Sequence, residues 1–354
     1  MIARRRMGWR EDLVTAVLAA WLVGGLFVDG WAHNTRPLLE TFFTPWHAVF
    51  YSGFAATAGW VDWSVLRRRR EGAGWRSAVP AGYGLALAGL AVFLLSGMAD
   101  MAWHLAFGIE QGIAALLSPS HLGLFLGAFL AVTAPLRSAW ADPSGGRDAG
   151  LGRLLPAVLS ATLAGVLVAF MFQYLHPLYE NVVSLGHLDS LLRQFTSYQF
   201  GYASELSVIA GIAGFLVATV TLFGPLVFLA RRWRLPAGAA LLVLGVQVLL
   251  MQAVTGFADP GLAVLGLLGA VAVEALARLL RPGPDLGRTW RTRAFAFAAP
   301  AAFWGVYLAG IGLHDGGLGW TPELWGGALV WSGLTLLGLT AALLPPAGTA
   351  EPEG

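Results

Sequence analysis

Ten times along the chain, an apolar stretch long enough to cross a bilayer recurs between short polar segments. These stretches cover 12–30, 45–66, 80–104, 119–140, 154–176, 203–230, 236–254, 261–280, 294–313 and 323–345. A hydrocarbon core of about 30 Å takes roughly 20 residues of helix. Stretches of that length and apolar continuity read as transmembrane helices. The whole chain agrees: 57% of its 354 residues are hydrophobic and the mean hydropathy is +0.67, outside the range of soluble domains. The expected fold class is all-α, a polytopic transmembrane helical bundle of about ten helices. Because the connections are short, consecutive helices should be antiparallel neighbours, giving five hairpins.

Arginine placement sets an orientation. All 22 basic residues are arginine. Arg4, Arg5, Arg6 and Arg10 precede the first stretch. Arg67 to Arg70 and Arg76 follow the second, and Arg137, Arg147 and Arg153 follow the fourth. Arg231, Arg232 and Arg234 follow the sixth, and Arg278, Arg281, Arg288, Arg291 and Arg293 follow the eighth. Only Arg36 and Arg193 lie opposite. The positive-inside rule therefore places both termini in the cytoplasm and opens all five hairpins outward. The expected location is the bacterial cytoplasmic (inner) membrane, with the lipid bilayer as the chief partner. The basic start followed by an apolar run resembles a signal peptide. No small-residue cleavage site follows it, so it reads as an uncleaved first span. A net charge of +2, with the arginines at helix ends, gives no reason to expect nucleic-acid binding. The absence of cysteine excludes disulfides and thiolate metal sites. Three regions are expected: two motif-bearing hairpins in 1–150, a third hairpin with a large outer loop in 151–234, and two degenerate hairpins with a short tail in 235–354.

On this topology all seven histidines fall on the outer side, and two groups of them repeat a pattern. Asp100-Met-Ala-Trp-His104 is followed by Ser118-Pro-Ser-His121, and Asp29-Gly-Trp-Ala-His33 by Thr44-Pro-Trp-His47. Asp and His at i, i+4 project from one face of a helix. Ser or Thr followed by Pro reads as an N-cap and first helical residue, which puts the second histidine in the first turn of the next helix. A carboxylate and two imidazoles should therefore meet where one helix ends and the next begins. A glycine stands six residues after each last histidine, at Gly53 and Gly127. The third hairpin is altered, with His176, Glu180, His187 and Glu205; Glu205, six residues before Gly211, takes the place of His47 and His121. The fourth keeps Asp259-Pro260. The fifth keeps His314-Asp315 and Thr321-Pro322, with Leu324 in place of the last histidine. The whole reads as a worn internal repeat.

One Asp with two His suits a divalent metal or copper: imidazole supplies nitrogen and the carboxylate supplies compensating charge. A buried carboxylate in a membrane also needs a partner. The alternative is that Asp and His bond each other and cap helix ends at the water boundary. Repetition with a matching second histidine favours metal. The candidate ligands are Asp100, His104 and His121 in one set and Asp29, His33 and His47 in the other. Met98 and Met101 flank Asp100 as soft donors, which favours copper, with zinc as the alternative. For the third cluster a polar outer loop is the simpler reading. Trp31, Trp46 and Trp103 fit the membrane interface, and Glu274 with Arg278 reads as an i, i+4 pair near the inner surface.

The Asp100-x-x-Trp103-His104…Ser118-Pro-Ser-His121 stretch resembles the C subunit of particulate methane and ammonia monooxygenases. In that family an Asp-x3-His and a following His in a Thr/Ser-Pro-Ser-His context bind copper in the membrane. A second Asn-x3-His…His set accompanies it. The resemblance covers residues 25–55 and 96–130, and implies one copper site at Asp100, His104 and His121 and another at Asp29, His33 and His47. Between the two later histidines the chain reads Gly108-Ile-Glu-Gln-Gly112, where the family carries a different polar segment. The resemblance therefore implies a relative that shares the ligand frame rather than the reaction.

Two functions compete. The chain is a metal-bearing membrane protein related to the membrane subunit of copper-dependent monooxygenases, acting on a small apolar substrate. Alternatively it takes up, stores or senses copper or zinc without redox catalysis. A purely structural membrane protein is the third reading. Partners beyond lipid and metal would be other membrane subunits or further copies of the chain. Few polar residues line the inner halves of the helices, which argues against a simple channel.

Overall fold

The long apolar segments of this chain form α-helices, which satisfy each backbone N–H and C=O within the segment itself. The computed structural model describes residues 5–36, 42–108, 112–142, 146–284, 289–314 and 316–343. In chain order the helices are α1 (Trp9–Thr35), α2 (Pro45–Arg70), α3 (Trp75–Ala78), α4 (Gly84–Phe107), α5 (Ile113–Leu117), α6 (Pro119–Val132) and α7 (Ala134–Trp140). They continue as α8 (Leu151–Met171), α9 (Leu185–Gln194), α10 (Ser197–Ala230), α11 (Ala239–Ala253), α12 (Pro260–Leu280), α13 (Thr289–His314) and α14 (Pro322–Leu343). A single antiparallel bridge, Ser184 to Leu318, is the only β pairing among the described residues.

Each of the ten expected stretches overlaps a helix, although 80–83 and 172–176 lie outside the α-helices, and eight helical segments are long and apolar enough to cross a membrane. One of these eight is α6 running into α7 at Thr133, two residues before Pro135. The two stretches outside the eight are α2, which is 26 residues long but ends in Arg67, Arg68, Arg69 and Arg70, and α11, which has only 15 residues. Asp315 and Arg288 lie outside the described residues.

The chain forms two compact units. The first holds Met1–Met171 with Ala253–Gly256, and the second Phe172–Gln252 with Phe257–Gly354. In the first, α1 packs on α2 and α4 on α6. The two glycines that follow the motif histidines are the crossing points. A Cβ on Gly53 would come within 2.6 Å of the Leu22 backbone, and one on Gly127 within 2.6 Å of the Phe93 nitrogen. Leu22 lies seven residues before Asp29, and Phe93 seven before Asp100, so both pairs cross at the same register relative to their motifs. Only glycine lets the backbones approach so closely, which is a common device where helices meet in a membrane.

The opposite ends of these helices are tied by polar groups. Tyr83 Oη donates to Asp12 Oδ1 at 2.7 Å, and Ser138 Oγ donates to Asp12 Oδ2 at 2.9 Å, all buried. Arg68 donates to the Arg5 and Arg6 carbonyls at 2.9 and 3.0 Å. In the second unit α12 packs on α13 and α13 on α14. There Glu274 pairs with Arg278 at 2.8 Å, as expected. It also accepts from the Gly238 and Leu241 backbone N–H groups at 2.6 and 3.3 Å, serving the start of α11 from a neighbouring helix.

Gly127→Ala should lower the thermal stability of the detergent-solubilised protein by about 1–3 kcal/mol, the range for overpacking a close contact. Gly59→Ala, where an added Cβ meets nothing within 4 Å, should be neutral or stabilising through helix propensity. Equal effects at the two positions would show that Gly127 is not a crossing point.

Candidate metal centre

The two Asp-x3-His pairs sit near the C-terminal ends of α1 and α4, and the two later histidines open α2 and α6. Thr44 Oγ1 accepts from the His47 backbone N–H at 3.1 Å, and Ser118 Oγ from that of His121 at 3.4 Å. With proline at the first helical position, each cap places its histidine in the opening turn, facing back along the neighbouring helix. The sequence spacing thus becomes convergence. In each set the three ligating atoms lie within 4.8 Å of one another.

Every imidazole presents Nε2 to its aspartate. His33 and His47 Nε2 lie 3.8 and 3.4 Å from Asp29 Oδ2, and His104 and His121 Nε2 lie 3.5 and 3.2 Å from Asp100 Oδ1. The far nitrogens of three rings are held from behind. His47 Nδ1 is 2.6 Å from the Phe42 carbonyl, His104 Nδ1 is 3.2 Å from the Gly108 carbonyl, and His121 Nδ1 is 2.7 Å from Ser118 Oγ. A carbonyl oxygen only accepts, so Nδ1 of His47 and His104 carries the proton. In the neutral ring Nε2 is then a lone pair aimed at a carboxylate. Two electron-rich atoms do not rest at these distances in a buried site without a positive charge between them. Asp29, His47, Asp100 and His104 are all buried; His33 and His121 are the more open member of each set.

The charge that fits is either protons or a metal ion. Tetrahedral ligands at about 2.0–2.1 Å stand roughly 3.3 Å apart, close to the observed nitrogen–oxygen separations. Nδ1–H donated to a carbonyl is also the usual way of fixing the tautomer and aim of a metal-binding imidazole.

The sets are neighbours. The His47 and His104 rings are 6.3 Å apart between centroids, and Phe42 lies against both, stacked on His47 at 4.9 Å and 5.9 Å from His104. Two residues outside the ligand assignment hold Asp100: Ser120 Oγ donates to Oδ1 at 2.9 Å, and Tyr51 Oη approaches Oδ2 at 3.5 Å. Tyr51 was detectable as the i+4 neighbour of His47 on the same helix face, whereas Phe42 carries no local signal. Met98 and Met101 line an apolar cavity of about 180 Å³ with Phe42, Tyr51, Phe54 and Phe93, and Met98 is exposed. Trp31 and Trp46 meet edge to face at 5.4 Å, with the Arg36 guanidinium over both rings.

The residues of the altered third, fourth and fifth hairpins gather no such set among the described residues. Glu205 is exposed in the interior of α10. The residue that repeats the capped-histidine geometry in this region is His187, whose backbone N–H is accepted by Ser184 Oγ at 3.2 Å at the start of α9. The reason is the N-cap: Ser184 stands three residues before His187, as Thr44 and Ser118 stand before theirs. Asp259 caps α12 by accepting from the Gly261 N–H at 3.1 Å, and His314 ends α13 exposed. Among the described residues only the two Asp-His-His sets gather three ligands.

No family model, curated protein or solved structure matches the chain. Its class therefore rests on its own geometry: a helical protein of membrane-spanning character carrying two adjacent carboxylate–imidazole clusters able to hold metal.

Ser120→Ala removes a donor from a buried carboxylate and should cost about 1–3 kcal/mol of stability. Ser120→Thr should restore it, both read by thermal unfolding in detergent. An unperturbed Ser120→Ala variant would mean that the hydroxyl does not hold Asp100.

Proposed function

We propose that the protein is a multi-pass bacterial inner-membrane protein that binds two metal ions, copper in preference to zinc, in adjacent Asp-His-His sites near the outer face. It is a ten-helix, five-hairpin chain with both termini cytoplasmic, and a relative of the membrane subunit of copper-dependent monooxygenases. The observation that carries the metal reading is the shared aim of four Nε2 atoms at two buried carboxylates, with Nδ1 of His47 and His104 committed to carbonyl oxygens. The orientation is supported within the first unit by the segregation of charge on α2. His47 opens that helix and Arg67 to Arg70 close it, about 30 Å apart at 1.5 Å per residue.

A metal bound at these sites would supply a redox or Lewis-acid centre. The chain's own contribution is to fix the imidazoles, neutralise part of the metal charge with one carboxylate per site, and exclude water. The apolar cavity beside Tyr51 supports a small apolar substrate next to the second site, because it brings no polar partner except the tyrosine hydroxyl. Metal storage or sensing needs the ligand sets but not that cavity.

Purified protein loaded with copper should bind two ions per chain, measured by elemental analysis after desalting. His121→Ala should lose one ion and, through the shared Phe42 wall, weaken the other. Because neutral imidazole is the ligand, affinity should fall as pH drops through the range of histidine protonation, about 6.5 for an unperturbed ring. Asp100→Asn should weaken its site less than His121→Ala does. Unchanged stoichiometry and affinity in both His104→Ala and His121→Ala would end the metal reading of that set. A protein that stays metal-free after loading with copper or zinc would leave a structural role.

Orientation is tested by thiol labelling, since the chain has no native cysteine. In intact spheroplasts a membrane-impermeant maleimide should label Phe43→Cys and spare Arg70→Cys. The reverse pattern would invert the topology.

A further inference from the structure

The third region brings together a different set of reactive groups. A cavity of about 380 Å³, within the usual range for small-molecule pockets, lies inside the second unit between the turn after α8, α9 and the first turns of α10. Ser207, His187 and Glu180 all line it. His187 Nε2 is 2.8 Å from Ser207 Oγ, and its Nδ1 lies 3.6 Å from Glu180 Oε1. A carboxylate only accepts, so the neutral ring carries its proton on Nδ1, and Nε2 accepts from the Ser207 hydroxyl. Hydroxyl, imidazole and carboxylate thus follow one another as nucleophile, base and acid do in acyl-transfer sites. The hydroxyl's choice of partner sets it apart. Thr57, Thr162, Ser204 and Thr340 each turn back to a carbonyl of their own helix, whereas Ser207 reaches across from α10 to α9.

The set is held from behind. Ser184 Oγ accepts from the His187 backbone N–H at 3.2 Å. On either side of Ser184 the chain is pinned: the Gly319 N–H donates to the Val183 carbonyl at 2.8 Å, and the Leu185 N–H to the Gly317 carbonyl at 3.1 Å. Gly211 stands one turn along α10 from Ser207. A Cβ there would come within 2.5 Å of the Trp320 side chain and 2.9 Å of that of Val182, so glycine lets α10 lie close to the loop that carries Glu180. The Glu180 side chain is 56% exposed and the His187 side chain 17%, so water reaches the acid end of the set. Leu175, Phe195 and Leu206 edge the cavity and are exposed, which gives it an apolar mouth beside a helix of membrane-spanning character. Among the described lining residues there is one carboxylate and no arginine, which favours neutral molecules over anions.

We propose that Ser207, His187 and Glu180 form a hydrolytic centre for neutral lipophilic carboxylic esters. Ser207 Oγ bonds to the ester carbonyl carbon as its proton passes to His187 Nε2. The bond from that carbon to the alcohol oxygen breaks, and the leaving alcohol takes the proton from His187. Water then attacks the acyl-serine, giving its proton to His187, which returns it to Ser207 Oγ as the carboxylic acid leaves. Glu180 is a positioning residue: it fixes the tautomer and favours the imidazolium formed in each step. No metal takes part.

The test uses the full-length protein in lipid vesicles. An alkyl fluorophosphonate, which phosphonylates a base-activated serine with loss of fluoride, should label it once, at Ser207 by peptide mass mapping, and should not label heat-unfolded protein. The native protein should hydrolyse para-nitrophenyl hexanoate, faster than the anionic para-nitrophenyl succinate and equally well with a metal chelator present. Ser207→Ala should abolish labelling and turnover, while Ser204→Ala keeps both. His187→Gln should slow labelling about a hundredfold or more, the usual effect of losing a general base. Glu180→Gln should slow it with no change in unfolding temperature, and Glu180→Asp should restore part of the rate. Folded native protein that neither takes the fluorophosphonate nor turns over the hexanoate, or labelling and turnover that persist in Ser207→Ala, would overturn the proposal.

Discussion

Two buried carboxylates, each faced by the Nε2 atoms of two imidazoles, are the constraint on which the first unit turns. The Phe42 and Gly108 carbonyls take the Nδ1–H of His47 and His104, so their Nε2 atoms face Asp29 and Asp100 as lone pairs. Two such clusters share one aromatic wall, which concentrates negative potential where solvent is excluded. Positive charge, as protons or as a metal ion, makes that arrangement favourable.

The fold serves that constraint through two ordinary devices. A hydroxyl N-cap followed by proline starts α2 and α6 abruptly, so that a histidine appears in the first turn. A glycine six residues later lets the same helix close on its partner. The cap sets where the imidazole is and the glycine sets how near it comes. Both devices recur at one register in the two sets, whereas in the third region a capped histidine stands without the glycine six residues later. Ser184 still caps α9 and presents His187, but α9 is short and ends at Gln194, so no long helix closes there. A cavity of about 380 Å³ lies beside it, and among the described residues no three-ligand cluster forms there.

Much of this was legible in the sequence because the relevant signals are local. The i, i+4 spacing of Asp29 with His33 and of Asp100 with His104, and the Thr44-Pro45 and Ser118-Pro119 caps, are short-range rules that tertiary packing had no reason to override. The role of Gly53 and Gly127 was visible as a repeat but its meaning was not, since a close crossing depends on which residue stands opposite. Glu205 was matched to the histidines by its distance to Gly211, yet it stands exposed within α10, and the capped histidine of this region is His187. The adjacency of the two sets, the contact of Tyr51 with Asp100 and the position of Phe42 are long-range facts with no local signature. The lengths of α2 and α11 likewise depend on polar residues and breaks that blur a simple hydropathy reading.

The most direct measurement of the metal centre is X-ray absorption at the copper edge of the copper-loaded, full-length protein. Two Asp-His-His sites should give nitrogen and oxygen neighbours only, near about 2.0 Å, with the outer-shell scattering of two imidazoles per copper. A sulfur shell from methionine, or copper surrounded by oxygen without imidazole scattering, would contradict that assignment.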